Sequence, residues 1–128
     1  MAVLVLLSGA LLMANAPSAS DEWQKCVNST VTNPDWASCG IDYLKRLDGE
    51  LNVVWKKAYA ALGDPQSRAQ MLEEQRAWLK FRDASCQFWA NGQFGREGQV
   101  FHFAACRGAI IEARITGLKD MTIDIAGH

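Results

Sequence analysis

The chain has 128 residues, of which 49% are hydrophobic and 21% are charged, and its formal net charge is -1. This composition is ordinary for one globular domain and excludes a disordered or low-complexity chain. It also argues against a nucleic-acid-binding protein, which usually carries a surplus of basic residues.

The N-terminal segment is almost continuously apolar over residues 2–14, and the triplets Ala14-Asn15-Ala16 and Ser18-Ala19-Ser20 follow it. This run is too short to span a bilayer, which takes about 20 residues. It is typical of a signal peptide with small residues at the cleavage site, although no Lys or Arg precedes it. A buried N-terminal helix is the alternative. We expect a signal peptide at residues 1–20 and one mature domain at residues 21–128. That domain would be periplasmic or secreted, without stable membrane insertion after cleavage.

Four cysteines, Cys26, Cys39, Cys86 and Cys106, give an even count. In an exported domain this predicts two disulfides, for which three pairings are possible. The alternative is a zinc site, but no C-x-x-C pair occurs and neither histidine lies at a ligand spacing. We therefore predict structural disulfides and no metal.

Three segments carry apolar residues at the three- and four-residue steps of an α-helix. The first begins at Asn33-Pro34, an N-cap followed by proline, and ends before the break at residues 63–65. Ser67 can cap the second, which continues through Trp89 to the break at residues 91–98, and the third extends from Val100 to Leu118. Residues 21–27 add a short helical turn. No segment alternates with period two. The predicted fold is all-α: an antiparallel bundle of three main helices with a short N-terminal helical segment, held by two disulfides.

The short connections make consecutive helices antiparallel neighbours, which fixes the residues that face each other. On the first helix the predicted inward positions include Ile41, Leu44, Leu51 and Trp55. Leu51 then lies opposite Trp78, and Asp48 lies opposite Arg82. Asp48 and Arg82 either form a buried ion pair, whose loss would cost about 3–5 kcal/mol, or extend to water at the edge of the bundle. The same reasoning places Asp83 opposite Arg107.

The register also bears on the cysteine pairing. Cys106 lies about 4.5 Å along the axis from the level of Cys86, which a disulfide tolerates, whereas Cys39 lies about 7.5 Å from that level. This favours Cys86–Cys106 with Cys26–Cys39 and disfavours Cys39–Cys86. The preference is weak because Cys26 is on a segment without a register, so the pairing stays open.

The segment at residues 75–86, QRAWLKFRDASC, resembles the core motif of LprI-type lysozyme-inhibitor domains, QRAW-x-x-[FY]RDA-x-C. Upstream, Asp48, Leu51 and Asn52 are similar to that family's D-x-x-LN, although Trp55 stands at the usual tyrosine. Downstream, Cys106, Arg114 and Leu118 are similar to its closing C…R-x-x-x-L. The resemblance covers about residues 26–118. It implies an exported helical domain of the bacterial envelope that binds a protein partner, with lysozyme as the leading candidate.

The residues of this motif lie at helical core spacing. We therefore expect them to stabilise the fold rather than to contact a ligand. They are Asp48, Leu51, Asn52, Trp78, Arg82 and Asp83.

A glycine-rich loop at residues 91–98 is the best candidate for contact with a partner. A glycoside hydrolase carries two carboxylates in its cleft, which a basic, aromatic segment would complement. The loop offers such a segment in Gln93, Phe94, Gly95, Arg96 and Glu97. The alternative is a plain connection in which Phe94 folds back onto the bundle.

The leading functional hypothesis is a non-catalytic inhibitor of lysozyme or a related cell-wall hydrolase. The alternative is a periplasmic immunity, stress or structural envelope protein that binds another protein. An enzyme is disfavoured because the chain shows no nucleophile with an adjacent base, no paired acids of a cleft and no metal motif. We expect no cofactor.

Overall fold

The computed structural model describes residues 15–128, and the apolar run at residues 2–14 lies outside this part of the chain. Within residues 15–128 the chain is helical and contains no strand. The helices are α1 (Ala19–Asn28), α2 (Asn33–Ala61), α3 (Pro65–Ala84), α4 (Gln87–Ala90), α5 (Gly95–Glu97), a π-helical turn (Gly98–His102) and α6 (Phe103–Ala126). The predicted all-α fold, with three main helices after a short N-terminal one, is confirmed. None of the helices in this part of the chain is long and apolar enough to cross a bilayer.

Side-chain caps set where the helices begin. At α1 the Ser18 hydroxyl accepts from the Asp21 amide while the Asp21 carboxylate accepts from the Ser18 amide, which makes a capping box. Asp64 caps α3 by accepting from the amide of Ser67. The prediction that Ser67 caps this helix is therefore wrong: Pro65, with its fixed φ, already occupies the first helical position, so the cap is the residue before it.

The second main helix is shorter than the sequence pattern predicts. α3 ends at Ala84, and Cys86 adopts a left-handed backbone with φ of 71°. A non-glycine residue in this conformation interrupts an α-helix. Phe88 and Trp89 therefore lie on the separate short helix α4, where the apolar periodicity had placed Trp89 on the second main helix.

The core forms chiefly between α2 and α6, which run parallel to each other. Gly40 of α2 lies against Ala104, and Tyr43 lies against Gly108 further along both helices. Small residues at these crossings let the helices approach closely. Tyr43 is 6% exposed and donates to Glu112 Oε1 at 3.0 Å, and this burial and hydrogen bond raise the pKa of Tyr43.

The buried stripe of α2 differs from the predicted one. It consists of residues that face α6 and α1, namely Cys39, Gly40, Tyr43, Leu47, Leu51, Val54 and Ala58. Ile41, which was expected to be inward, is 67% exposed. Leu44 and Trp55 are half-buried. Leu51 belongs to both stripes, whereas Leu47 and Val54 are buried although the predicted stripe does not include them.

The antiparallel register is confirmed by contacts between side chains. An Arg82 Nη lies 3.4 Å from the Asp48 carboxylate, and Arg114 donates to Gln75 at 2.7 Å. α3 is nevertheless peripheral, since Met71 is its only buried residue. The middle helix in the chain is therefore not sandwiched between its neighbours, because α2 and α6 pack directly against each other.

Both disulfides form in the favoured pairing, Cys26–Cys39 and Cys86–Cys106. The first joins α1 to α2 beside Trp23, which is buried and stacks on Tyr43 with ring centroids 5.1 Å apart. Trp36 donates its indole N–H to the carbonyls of Val27 and Thr30. α1 is thus fixed to the bundle by a covalent link and by aromatic packing.

Candidate functional site

Aromatic side chains cluster where the chain passes from α3 to α6, and we call Phe88, Trp89, Phe94 and His102 the aromatic tip. Trp89 is at its centre, with the Phe94 and His102 rings each 4.6 Å from it between centroids. Phe88 lies 5.1 Å from Trp89. Phe88 and Phe94 remain 53% and 54% exposed. Neighbouring exposed aromatic rings of this kind are typical of a protein-binding surface.

Glycines make this arrangement possible. Gly92 and Gly95 have φ of 92° and 69°, values that residues with a side chain rarely adopt. At Gly98 a Cβ atom would lie 2.7 Å from Phe94 Cβ and 3.1 Å from the Trp89 carbonyl oxygen. Any larger residue at position 98 would therefore push Phe94 off Trp89.

The polar residues of the loop surround the aromatic tip and are exposed. Arg96 donates to the Gln99 side chain at 3.1 Å, and the Glu97 carboxylate lies 3.5 Å from His102 Nε2. The backbone N–H of Gln93 donates to the Asn91 side-chain oxygen. Since the only partner of the Arg96 guanidinium within residues 15–128 is a neutral amide, its charge is available to a carboxylate.

The base of the aromatic tip is rigid. Cys86, at the end of α3, is bonded to Cys106 in the first turns of α6. Arg107 lies over the Phe103 ring and donates to the Asp83 carbonyl at 3.1 Å. The expected tie between Arg107 and the Asp83 side chain is therefore a bond to the backbone, because the Asp83 carboxylate pairs with Arg82 at 3.0 Å instead.

The motif tryptophan, Trp78, lies between two guanidinium groups. Those of Arg82 and Arg114 lie 5.8 and 5.5 Å from its ring centroid. Arg114 also forms an ion pair with Glu74, and its side chain is only 12% exposed. The Arg114 contact attaches α3 to α6, in addition to the apolar packing of Met71 and Trp78 against the core.

A groove of about 480 Å³ separates α2 from α3. Asp48, Leu51, Asn52 and Arg82 line it. Leu51 is buried, whereas Asn52 is exposed and Asp48 and Arg82 are partly exposed. Four of the six motif residues thus line a groove with polar edges. The Asp48–Arg82 pair is at the edge of the bundle rather than in a dry interior.

The five predicted loop residues lie together, and residues outside the predicted loop lie beside them in the aromatic tip. Phe88 and His102 were not considered as binding residues, and Trp89 was assigned to a helical stripe. An aromatic pair placed just before Asn91-Gly92 was the available signal, since an aromatic pair next to a turn often remains partly exposed. The stacking of His102 on Trp89 had no signal in the sequence, because it depends on the π-helical turn.

Within residues 15–128 no three or more His, Cys, Asp or Glu side chains gather as a metal would require. The candidate site combines exposed aromatic area, one available guanidinium group and a base fixed by a disulfide.

Comparison with known proteins gives one match. The model of a family described as lysozyme inhibitor LprI matches residues 26–118. No curated protein and no solved structure matches the chain.

Proposed function

The chain belongs to the LprI lysozyme-inhibitor family, and from this premise we propose that it is an exported, non-catalytic inhibitor of lysozyme or a related cell-wall hydrolase that binds through the aromatic tip. The observation that carries the proposal is the exposed pair Phe88 and Phe94 around Trp89, next to Arg96. The match extends to most of the chain and supports inhibition as the activity. The residues that perform it are our inference.

The shape and chemistry of the aromatic tip suit the cleft of a glycoside hydrolase. Phe94 and Phe88 would enter the cleft and bury apolar area that is now in water, the largest source of affinity in most protein interfaces. Arg96 would pair with a cleft carboxylate, of which such an enzyme has two. A carboxylate held by a guanidinium group can neither donate a proton nor attack the sugar, so this contact blocks catalysis as well as access.

Rigidity supports the same assignment. A flexible loop loses entropy when it is ordered on binding, at a cost of about 0.5–1.5 kcal/mol for each immobilised side chain. The Cys86–Cys106 disulfide and the packing of Phe94 against Trp89 order this segment in advance. Gly98 contributes by leaving room for that packing.

Export is consistent with the two disulfides, which persist in oxidising compartments. Of the two candidate cleavage triplets, the upstream one at residues 14–16 is the more compatible with the fold. Cleavage after Ser20 would remove the Ser18 cap of α1 and Ala19, which is buried. We infer that the mature protein begins close to Pro17, whose carbonyl accepts from Arg46 at 2.7 Å.

The test is a turbidity assay of lysozyme on cell walls with the exported, oxidised protein. We expect the wild-type protein to slow clearing, and Phe94→Ala with Arg96→Ala to raise the half-inhibitory concentration at least tenfold, since each tenfold corresponds to about 1.4 kcal/mol. The melting temperature should change little because both side chains are exposed.

A matched control removes one aromatic and one cationic side chain from a different surface of the protein. Phe81→Ala with Lys80→Ala deletes an exposed phenylalanine and an exposed cation on α3, and should inhibit as the wild type does. Equal inhibition by the tip variant and the control would exclude the aromatic tip. Absence of inhibition by the wild-type protein would exclude lysozyme as the target.

A further inference from the structure

A second surface, remote from the aromatic tip, is formed by the groove between α2 and α6. α1 covers one end of this groove, where Trp23 packs on Tyr43 of α2 and on Phe101 of the π-helical turn that continues into α6. α1 begins at Ala19, close to Arg46, which pairs with Glu22 and donates to the Pro17 carbonyl. Past Arg46 the groove continues along α2 and α6, and no other part of residues 15–128 lies over it.

The floor of this continuation is apolar. Val53, Val54 and Ile115 line a cavity of about 830 Å³, and Ile123 lines an adjoining one of about 310 Å³. Val53 and Ile123 are 53% and 70% exposed. Apolar side chains exposed together along a concave surface indicate a binding site more often than scattered ones do.

Lysines surround that floor. Lys45, Lys57 and Lys119 line the cavity, and none of the three forms an ion pair within residues 15–128. Arg46 is neutralised by Glu22 and Glu50 at the end of the cavity next to α1. Asp42 is the one lining carboxylate without an ion pair in this part of the chain, so three unpaired lysines lie beside one unpaired carboxylate. On a chain whose net charge is -1, this is a local excess of positive charge that attracts a negative partner. We call this surface the lysine groove.

We propose that the lysine groove binds an acidic amphipathic helix of a protein partner. The groove suits a helical occupant because α1, itself a helix, already covers its other end. The distance along α2 from Lys45 to Lys57 is about 18 Å at 1.5 Å per residue, which accommodates a helix of about 12 residues. Apolar residues of that helix at i, i+4 and i+7 would cover Val53 and Ile115, and its flanking carboxylates would pair with the lysines.

A second copy of this chain is a poorer occupant. In a two-fold contact the same patch meets itself, so the lysines of one copy would face those of the other. Like charges brought together at an interface disfavour association. The lysine groove also lies far from the aromatic tip, because Ile115 is about 18 Å along α6 from Phe103. The proposal therefore does not depend on inhibition of lysozyme.

The experiment measures the fluorescence anisotropy of a labelled 14-residue helical peptide, with leucines on one face and glutamates beside them, added to the exported protein. The reference peptide carries lysines in place of the glutamates. We expect the glutamate peptide to bind at least tenfold more tightly. Lys57→Glu with Lys119→Glu should reverse this order.

A pair of glycine substitutions separates groove binding from general charge attraction. Gly49 lines the lysine groove, and its added Cβ would meet nothing within 4 Å, so Gly49→Trp places a bulky side chain at the groove from an unobstructed Cβ. Gly117 is equally unobstructed but lies outside the groove. We expect Gly49→Trp to weaken binding of the glutamate peptide at least tenfold and Gly117→Trp to leave it unchanged.

Three results would overturn the proposal. The first is equal affinity of the Gly49→Trp variant and the wild type for the glutamate peptide. The second is cosedimentation with phosphatidylglycerol vesicles without binding of the peptide, which would assign the lysines to a membrane surface. The third is a dimer in sedimentation equilibrium that Gly49→Trp dissociates, which would assign the groove to a second copy of the chain.

Discussion

Gly108 is the position where the packing of α2 on α6 is most sensitive to a single atom. A Cβ at this residue would lie 2.6 Å from Tyr43 Cζ and 2.7 Å from its hydroxyl oxygen. The Cβ would lie closer still to Tyr43 Cε1, and carbon atoms in contact are about 3.5–4.0 Å apart, so the ring would have to move by more than about 1 Å. Tyr43 has little freedom to do so, because it is buried, stacks on Trp23 and donates to Glu112.

The expected cost of Gly108→Ala follows from these contacts. Overpacking of a core costs about 1–3 kcal/mol, and loss of a hydrogen bond to a charged group costs about 1.5–3 kcal/mol. Alanine in a helix interior is more favourable than glycine by about 1 kcal/mol, which offsets part of this cost. We therefore expect Gly108→Ala to lower the free energy of unfolding by about 3 kcal/mol, and the melting temperature by about 10 °C or more.

The measurement is urea denaturation followed by circular dichroism, together with the thermal melting temperature. Gly117→Ala is the matched control, since it makes the same change on the same helix where nothing lies within 4 Å. It should stabilise the protein by up to about 1 kcal/mol. If Gly108→Ala is as stable as the Gly117→Ala variant, Tyr43 does not pack on α6 and the description of the core is wrong.

Two further predictions concern the contacts of α3. A double-mutant cycle on Asp48→Ala and Arg82→Ala should give a coupling free energy below about 1 kcal/mol, because the Asp48 side chain is 50% exposed; a coupling of about 3 kcal/mol would place the pair in a dry interior. Replacing Cys86 and Cys106 by serine opens a link across 20 residues, which should lower the unfolding free energy by about 3 kcal/mol and also weaken inhibition. An unchanged melting temperature would contradict the bracing role of this disulfide.

The sequence was informative where local chemistry decides the structure. Asn33-Pro34 and the break at residues 63–65 predicted the bounds of α2 to within one residue. The constant register of an antiparallel hairpin placed Asp48 beside Arg82 and favoured the disulfides that form. The QRAW motif identified the family. Each of these inferences uses residues near in sequence, or a helix period that local sequence sets.

The candidate site was less predictable because it depends on how a few residues interrupt the helices. The left-handed backbone at Cys86 ends α3 early, and an apolar periodicity that continues to Trp89 does not reveal this. The release of Phe88 and Trp89 from the main helix creates the aromatic tip. A disulfide-bonded residue can be held in a backbone conformation that its own type does not favour, and sequence patterns do not report it.

The amino-acid sequence alone determined that this protein is helical and where α2 begins and ends, and it favoured the cysteine pairing that forms, because caps, prolines and the 3.6-residue period act over a few residues. Only the tertiary structure decided which faces are buried. Gly40 and Gly108 let α6 approach α2 so closely that α3 is left at the edge. Whether two helices can approach depends on the small residues of both at their crossing, and neither helix contains that information by itself.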